Sequence, residues 1–378
     1  MILAGTMSSQ SQLRVAVIGG GILGASSAYH LARSGARVWL VTEGPPASGA
    51  SGRSLSWLNS FAVRSEHYHQ LRILGIDRYR SLFARQPHSG WLRFDGGLSW
   101  QPADKAEILR DIHAHQLAHG YDSQLISPDE VERQVPGVNS AAIPGSGAVW
   151  NPGEGWVDLP SLIDYLIKEL VRFGGKLIAN AGEAAVISRA GRVFAVQTQG
   201  HDAIHVDAAL LATGATVPGM AARFGVPIPD ATVIALLIRT KPVQTQLRAV
   251  LNTPRASIRP TPDGGLAVDS DWTDSHIELQ ANGTYRIPAA IVEELLVEAS
   301  GALAGTPSLI PETQGIGPKP IPGDGEPVLG QLGDIDGLYV AFTHSGATLG
   351  LIVGELLARE MISGPQALLG PYSASRFS

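Results

Sequence analysis

Three glycines, Gly19, Gly21 and Gly24, stand in the spacing G-x-G-x-x-G directly after the apolar segment RVAVI. Between a strand and a helix, the first glycine permits the tight turn, the second leaves room for a pyrophosphate, and the third lets helix and strand pack closely. The backbone N–H groups around Ile22 and Leu23, together with the helix dipole, would then face the anion. The spacing predicts a dinucleotide site; the alternative is a glycine-rich turn without a ligand.

The second strand of this unit ends in residues that could bind an adenosine ribose. In dinucleotide-binding folds, an acidic side chain about 20 residues beyond the glycines hydrogen-bonds the ribose hydroxyls. Counted from Gly19, that position falls on Thr42, and the carboxylate of Glu43 follows one residue later. Both residues are candidates, and the need for a carboxylate favours Glu43.

A segment of small residues, GPPASGASGRSLSWLNS, follows at positions 44–60. Its hydroxyl groups and its guanidinium could surround a second face of a pyrophosphate through charge-assisted hydrogen bonds. The residues that carry these groups are Ser48, Ser51, Arg53 and Ser54. The alternative is a mobile surface loop.

Hydrophobic periodicity indicates the elements that position these residues. RVAVIGG is typical of a fully buried strand, the next segment of a helix that stops near Gly35, and RVWLVTE of a second strand. This strand–helix–strand order raises the glycine spacing above a chance match. A later amphipathic helix is ended by Gly174, and its apolar residues are Leu162, Leu166, Leu170 and Phe173.

The composition excludes several classes of protein. The chain has 378 residues, 44% of them hydrophobic and 16% charged, which is enough for a large core and two domains. A net charge of -6 without a lysine or arginine run argues against a nucleic-acid partner. The absence of cysteine excludes disulfides, thiolate metal sites and a thioether-linked cofactor. We expect no metal site and a cytoplasmic, reducing location.

Targeting signals are not recognisable either. No apolar run reaches the roughly 18 residues of a membrane span. The segment MILAGTMSSQSQLR lacks the charged start and long apolar middle of a signal peptide. We therefore expect no membrane span, and Met7 is a second candidate start.

Several motifs together resemble a known family. They are the glycine motif, GASGRS, the strand ALLATGA, PIPGDGEPVLG and THSGATLG, and they occur in this order between residues 14 and about 364. The chain resembles the FAD-dependent amine oxidoreductases of the D-amino acid oxidase and glycine oxidase type, the DAO family. The first and last of these motifs are the most specific.

The resemblance implies FAD as the cofactor and names further residues that hold it. These are Val186, Ala212 and Gly214, and the turn of Gly346, Ala347, Thr348 and Leu349. In such proteins this turn presents backbone N–H groups and a helix N-terminus to the flavin C2 carbonyl, where negative charge collects on reduction. We expect noncovalent FAD, because the chain has no cysteine and no histidine between His30 and His67.

The resemblance also implies the fold class. It is α/β, with a discontinuous Rossmann-like FAD-binding domain and a smaller α+β substrate domain built on an antiparallel sheet. The FAD-binding domain would comprise residues 12–88, 152–222 and 318–370. The substrate domain would comprise residues 89–151 and 223–317, where SIRPTPDGGLAVDS alternates like antiparallel strands.

The implied reaction is oxidation of a C–H bond next to nitrogen, with hydride transfer to flavin N5 and hydrolysis of the imine. His344 and Asn59 could orient the amine; for His344 a structural role is an equal alternative. The family commonly has arginine before the proline where this chain has Lys319, and a lysine cannot reproduce the two parallel hydrogen bonds of a guanidinium to a carboxylate. Lys319 therefore either binds a substrate anion as a point charge or is a solvated surface residue.

Other interpretations remain open at this point. The partners would be a small amine or amino acid and oxygen or another electron acceptor, and a homo-oligomer is compatible with the sequence. An NAD(P)-dependent oxidoreductase is one alternative, although it leaves the terminal glycine turn unexplained. A noncatalytic flavin-bearing subunit of a larger complex is another.

Overall fold

The structure, a computed structural model, describes residues 12–377. Residues 1–11, which include the candidate start Met7, and residue 378 lie outside the described residues. The helices in the described range are α1 Ile22–Arg33, α2 Glu66–Arg85, α3 Ala106–Ala118, α4 Pro128–Gln134, α5 Leu159–Arg172, α6 Val217–Ala222, α7 Ala289–Gly301 and α8 Gly346–Ser363.

The strands in the described range are more numerous than the helices. They are β1 Arg14–Ile18, β2 Arg37–Val41, β3 Trp57–Leu58, β4 Leu92–Arg93, β5 Gly97–Ser99, β6 Gln124–Ile126, β7 Ala148–Asn151, β8 Gly155–Val157, β9 Lys176–Ile178, β10 Ala184–Arg189, β11 Arg192–Thr198, β12 Ile204–His205, β13 Ala208–Leu211, β14 Val233–Thr240, β15 Val250–Asn252, β16 Ser257–Pro260, β17 Leu266–Asp269, β18 Glu278–Leu279, β19 Tyr285–Arg286, β20 Pro311–Lys319, β21 Val328–Gln331 and β22 Leu338–Phe342.

A six-stranded sheet, in the order β21-β22-β13-β1-β2-β9, forms the centre of the first layer. All neighbouring pairs are parallel except β21 with β22. After Arg14, strand β1 is apolar because both of its faces are covered: Val15 and Val17 pack towards α1, α5 and α8, and Ala16 and Ile18 pack towards β11 and α6.

The helices on this sheet follow the predicted periodicity with one exception. Leu162, Leu166 and Leu170 of α5 are buried, and each stabilises the fold by about 1.5–3 kcal/mol. The prediction that Phe173 belongs to the same apolar face is wrong. Phe173 lies beyond the last turn of α5, and its side chain is 37% exposed. Its ring packs against the guanidinium of Arg172 instead of entering the core.

An eight-stranded sheet, in the order β20-β14-β17-β16-β15-β5-β7-β6, forms the second layer. Its pairs are antiparallel apart from β15 with β5, and α4 and α7 contribute to the apolar core beside it. The predicted alternating segment forms the hairpin β16–β17, in which Ser257 pairs with Asp269. The six-stranded sheet draws all its strands from the three predicted FAD-binding stretches, whose boundaries stay a prediction.

Two further observations concern the described residues as a whole. Between residues 12 and 377, no helix combines the length and the apolar character needed to cross a membrane. In the same range, no three His, Asp or Glu side chains come together in a group that could hold a metal ion.

Candidate functional site

A cavity of about 790 Å³ lies at the carboxyl ends of the central parallel strands, where open α/β sheets bind their ligands. The predicted residues that line it are Gly19, Gly21, Ile22, Leu23, Thr42, Glu43, Ser48, Ser51, Ser54, Ala212, Gly214, His344, Gly346 and Ala347. The predicted residues outside its wall are Gly24, Arg53, Asn59, Val186, Lys319, Thr348 and Leu349. The fold thus brings together residues from both ends of the sequence.

The glycine turn has no room for side chains at two of its three positions. Gly19 has φ +120°, and a Cβ there would lie 2.2 Å from the carbonyl oxygen of Ala212. A Cβ on Gly24 would lie 1.9 Å from the carbonyl oxygen of Gly19. At Gly21 the nearest atom to such a Cβ would be Ser51 Oγ, at 3.2 Å, so this glycine borders open space. Gly19 and Gly24 therefore serve the turn and the packing, and Gly21 keeps the cavity open.

The first turn of α1 faces this open space with its backbone donors. Gly21 is the N-cap residue and provides no side-chain cap, and the turn contains no acidic residue. The N–H of Ile22 donates to Ser51 Oγ at 3.1 Å, which fixes the loop beside the helix terminus. Unsatisfied N–H groups and the helix dipole make this terminus suitable for a pyrophosphate.

The two ribose candidates have different surroundings. Thr42 is buried, and its hydroxyl donates to the carbonyl oxygen of Gly44 at 2.5 Å, so its hydrogen is already used within the turn. Glu43 is exposed at the cavity wall. This geometry supports Glu43 as the ribose acceptor, which stays a prediction.

Arg53 does not point into the cavity. Its Nη1 donates to the carbonyl oxygen of Ser48 at 2.7 Å, and its guanidinium lies across β20. Gly315 and Gly317 make this possible, since a Cβ on Gly317 would lie 2.6 Å from Nη2 of Arg53. The predicted pyrophosphate contact of Arg53 is therefore not supported: the side chain links the loop to the second sheet.

Two further predicted residues lie outside the cavity wall. Val186 lies within β10, and the cavity wall is formed by the residues before it, Gly182, Glu183 and Ala184. Leu349 is fully buried, and its N–H donates to the carbonyl oxygen of Ser345 at 3.0 Å, so it cannot present that group to a ligand. Leu349 lies inside α8, which begins at Gly346.

The first turn of α8 is tied to the segment around β3. Thr348 Oγ1 donates to the carbonyl oxygen of Trp57 at 3.1 Å and accepts from the N–H of Asn59 at 3.3 Å. Asn59 is buried, and its Oδ1 accepts from the N–H of Phe61 at 3.1 Å. Its polar atoms are used inside the protein, which supports a structural role instead of contact with a substrate.

Arg72, which sequence reasoning missed, joins the same region. It is 2% exposed and donates to the backbone carbonyl of Asn59 at 2.9 Å, to Asn59 Oδ1 at 2.9 Å and to Ser345 Oγ at 2.5 Å. Its position four residues from both Tyr68 and Ile76, on the buried face of α2, was the available signal.

His344 lies at the cavity wall beside the α8 turn, where its side chain is exposed to the cavity but partly desolvated by the residues around it. This desolvation lowers the pKa of His344 to about 4, and the positive charges of Lys319, Arg72 and Arg64 act in the same direction. The imidazole is therefore neutral near pH 7. A neutral ring can donate or accept a hydrogen bond without repelling an ammonium group.

Lys319 forms an ion pair that neither sequence alternative anticipated. Its Nζ donates to Asp271 Oδ1 at 2.9 Å and to Asp274 Oδ2 at 3.4 Å. Burial opposes the charge of Lys319, but the hydrogen bond to Asp271 and the charges of both aspartates outweigh it, so its pKa lies above its ordinary value. The ammonium is already paired within the protein, and the predicted contact with a substrate is not supported.

A parallel sheet with a glycine turn at its first helix and a long cavity at its carboxyl edge defines a dinucleotide-binding protein. The family model for DAO, described as FAD dependent oxidoreductase, matches residues 14–360. The chain belongs to this family and is an FAD-dependent oxidoreductase. The family and the cofactor predicted from the sequence are confirmed.

Individual relatives span different lengths. A glycine oxidase of Pseudomonas aeruginosa is 29% identical over 379 residues, which cover 95% of this chain and 97% of that protein. The mitochondrial sarcosine dehydrogenase of Mus musculus is 23% identical, and the match covers 97% of this chain but 42% of that protein. The crystal structure of glycine oxidase from Geobacillus kaustophilus has a TM-score of 0.80 at 22% identity, covering 97% of this chain and 99% of that one. The predicted fold class is confirmed.

The residues at the cavity fit FAD. The glycine turn and Leu23 in the first turn of α1 offer backbone donors for a pyrophosphate, and Glu43 offers a carboxylate for a ribose. At the other end, Gly346 and Ala347 begin α8, whose first turn contains no acidic residue. Two helix N-termini therefore face one cavity, which suits a ligand with an anionic centre and a ring system that gains negative charge.

Proposed function

We propose that this protein oxidises a carbon–nitrogen bond in an amine or amino acid, with FAD held noncovalently in the cavity. The main supporting observation is that one cavity joins the glycine turn of α1 to the first turn of α8, with His344 beside that turn. The relatives named glycine oxidase and sarcosine dehydrogenase support a substrate that contains an amino nitrogen. When bound, the flavin would accept a hydride from the carbon next to nitrogen, and water would hydrolyse the imine.

The chain's own residues have separate tasks in this proposal. The N-terminal turn of α8 stabilises negative charge with fixed backbone dipoles. His344, being neutral near pH 7, orients the amine by a hydrogen bond. Arg72 and Thr348 hold the segment around Asn59 against that turn and so fix the wall of the site.

An anaerobic screen of amines and amino acids tests the proposal. The purified protein carrying FAD is mixed with each compound without oxygen, and the flavin absorbance is followed. We expect at least one compound to bleach the flavin, whereas NADH and NADPH should not, because the sequence holds one complete dinucleotide signature. Rapid bleaching by NADH alone would contradict the proposal. Bound FAD that no amine reduces would favour the noncatalytic subunit.

Lys319→Met tests whether the ammonium binds a substrate anion. Since Lys319 is already paired with Asp271 and Asp274, we expect kcat/KM to change by less than about fivefold, equivalent to the roughly 1 kcal/mol of a partly exposed ion pair. Steady-state kinetics with the best substrate of the screen, and with Lys319→Arg as the control, give the answer. A loss of a hundredfold or more, confined to substrates with a carboxylate, would place the ammonium on the substrate.

The electron acceptor, the oligomeric state and the cytoplasmic location stay predictions. The location rests on the absence of cysteine from the sequence.

A further inference from the structure

A buried acid, Glu154, lies in the turn between β7 and β8. It is 0% exposed, and its two oxygens accept hydrogen bonds from Trp57 Nε1 at 2.7 Å and from Tyr121 Oη at 2.6 Å. Among residues 12–377, no lysine, arginine or histidine forms an ion pair with it. A buried carboxyl group without a cationic partner is costly unless it stays protonated and hydrogen-bonded.

The neighbouring strand leaves space for this arrangement. Gly97 of β5 faces the carboxyl group, and a Cβ on Gly97 would lie 2.3 Å from Glu154 Oε2 and 3.0 Å from Trp57 Nε1. Any side chain at this position would therefore displace the carboxyl group or the indole. The contact between Glu154 and Trp57 depends on the absence of that side chain.

The two donors to Glu154, Trp57 and Tyr121, connect it to residues 57–60, which border the α8 turn. The carbonyl oxygen of Trp57 accepts from Thr348 Oγ1 at 3.1 Å. Tyr121 Oη accepts from the N–H of Ser60 at 3.0 Å. Glu154 thus holds the two ends of residues 57–60, and Thr348 contacts the same segment from the first turn of α8.

We propose that Glu154 is a positioning residue whose carboxyl group, through Trp57 and Tyr121, holds residues 57–60 against the first turn of α8. The proposal rests on the proposed function, because that turn borders the flavin site. Glu154 itself does not line the cavity. Its effect on the reaction is transmitted by the placement of the segment.

The protonation state of Glu154 controls this contact. Burial raises the pKa of Glu154 to about 8, against the opposing effects of the hydrogen bonds from Tyr121 and Trp57 and the charge of Arg72. A protonated carboxyl group can donate to Tyr121 Oη, and an ionised one can only accept, so ionisation reverses that hydrogen bond. The segment is therefore held differently above about pH 8.

Other titratable groups face the same pocket. Burial raises the pKa of Tyr121 well above its ordinary value, with the charge of Glu154 acting in the same direction. Burial lowers the pKa of Arg64 to about 10, and the charge of Arg72 adds to the effect. Burial also lowers the pKa of His69, which is bonded to Ser60 Oγ. On these values, Glu154 is the group in this pocket that changes charge near pH 8.

Glu154→Gln tests the proposal, because the amide keeps the shape and cannot ionise. We expect the wild-type protein to lose kcat as the pH rises through about 8, with KM changing less, and the variant to lack this alkaline decline. Trp57→Phe removes one donor to the carboxylate, so the decline should move to higher pH. An unchanged decline in Glu154→Gln would overturn the proposal, as would a profile of Trp57→Phe identical to the wild type.

A stability measurement keeps the test independent of turnover. The pKa of Glu154 in the folded protein lies above its ordinary value of 4.5, so the folded state binds more protons between pH 4.5 and about 8. The wild type should therefore lose Tm relative to Glu154→Gln across that interval, and the difference should stay constant above it. Failure of the amine screen would leave this result unaffected. A Tm difference that does not vary with pH would contradict the ionisation of Glu154.

Discussion

Gly24→Ala is expected to yield a protein that purifies without flavin. The added Cβ would lie 1.9 Å from the backbone carbonyl oxygen of Gly19, and a backbone atom cannot move aside as the end of a side chain can. The turn must open, so the donors at the start of α1 lose their common direction. Overpacking of this kind costs about 1–3 kcal/mol or more, and we expect at least a hundredfold weaker binding of FAD.

Titration of the apoprotein with FAD, followed by flavin fluorescence, measures this effect. Gly145→Ala is the matched control, because a Cβ at Gly145 would meet nothing within 4 Å and the residue lies outside the cavity wall. The control should bind FAD as the wild type does. A Gly24→Ala variant with wild-type affinity would show that the close approach of helix and turn is not required.

Arg72→Met is expected to lower the free energy of unfolding. It leaves the carbonyl oxygen and Oδ1 of Asn59 without their guanidinium donors, and Ser345 Oγ loses a partner as well. The Asn59 carbonyl oxygen is then left without a donor, while Asn59 Oδ1 keeps the N–H of Phe61 and Ser345 Oγ keeps Tyr68 Oη. One unsatisfied buried acceptor and two lost charge-assisted hydrogen bonds cost about 3 kcal/mol in total. We also expect weaker FAD binding, because the segment around Asn59 and the α8 turn would no longer be held together.

Equilibrium unfolding in urea, with and without added FAD, checks this prediction. Arg80→Met, on the same helix α2, is the matched control: Arg80 is exposed, and it donates one hydrogen bond to the carbonyl oxygen of Gly153. The control should lose less than about 1 kcal/mol. Equal losses in the two variants would mean that the buried hydrogen bonds of Arg72 contribute no special stability.

The sequence by itself determined the parts of this protein that depend on neighbouring residues. The turn at Gly19, helix α1 and strands β1 and β2 are contiguous, so their spacing fixes how backbone atoms meet. The same holds for the last strand, β22, and the α8 turn at Gly346. The motifs in these local units carry the resemblance to the DAO family, and that resemblance implied the fold class and the cofactor.

Only the tertiary structure decided the partners of the polar side chains. Three hydrogen bonds join residues that are far apart in the sequence. The separation is 273 residues for Arg72 and Ser345, 97 for Trp57 and Glu154, and 48 for Lys319 and Asp271. Hydrophobic periodicity indicates which face of an element is buried, but it does not indicate which distant strand or loop supplies a hydrogen-bond partner. For this reason Lys319 was open to two interpretations in the sequence, and it became an internal ion pair once β20 was placed beside the turn at Asp271.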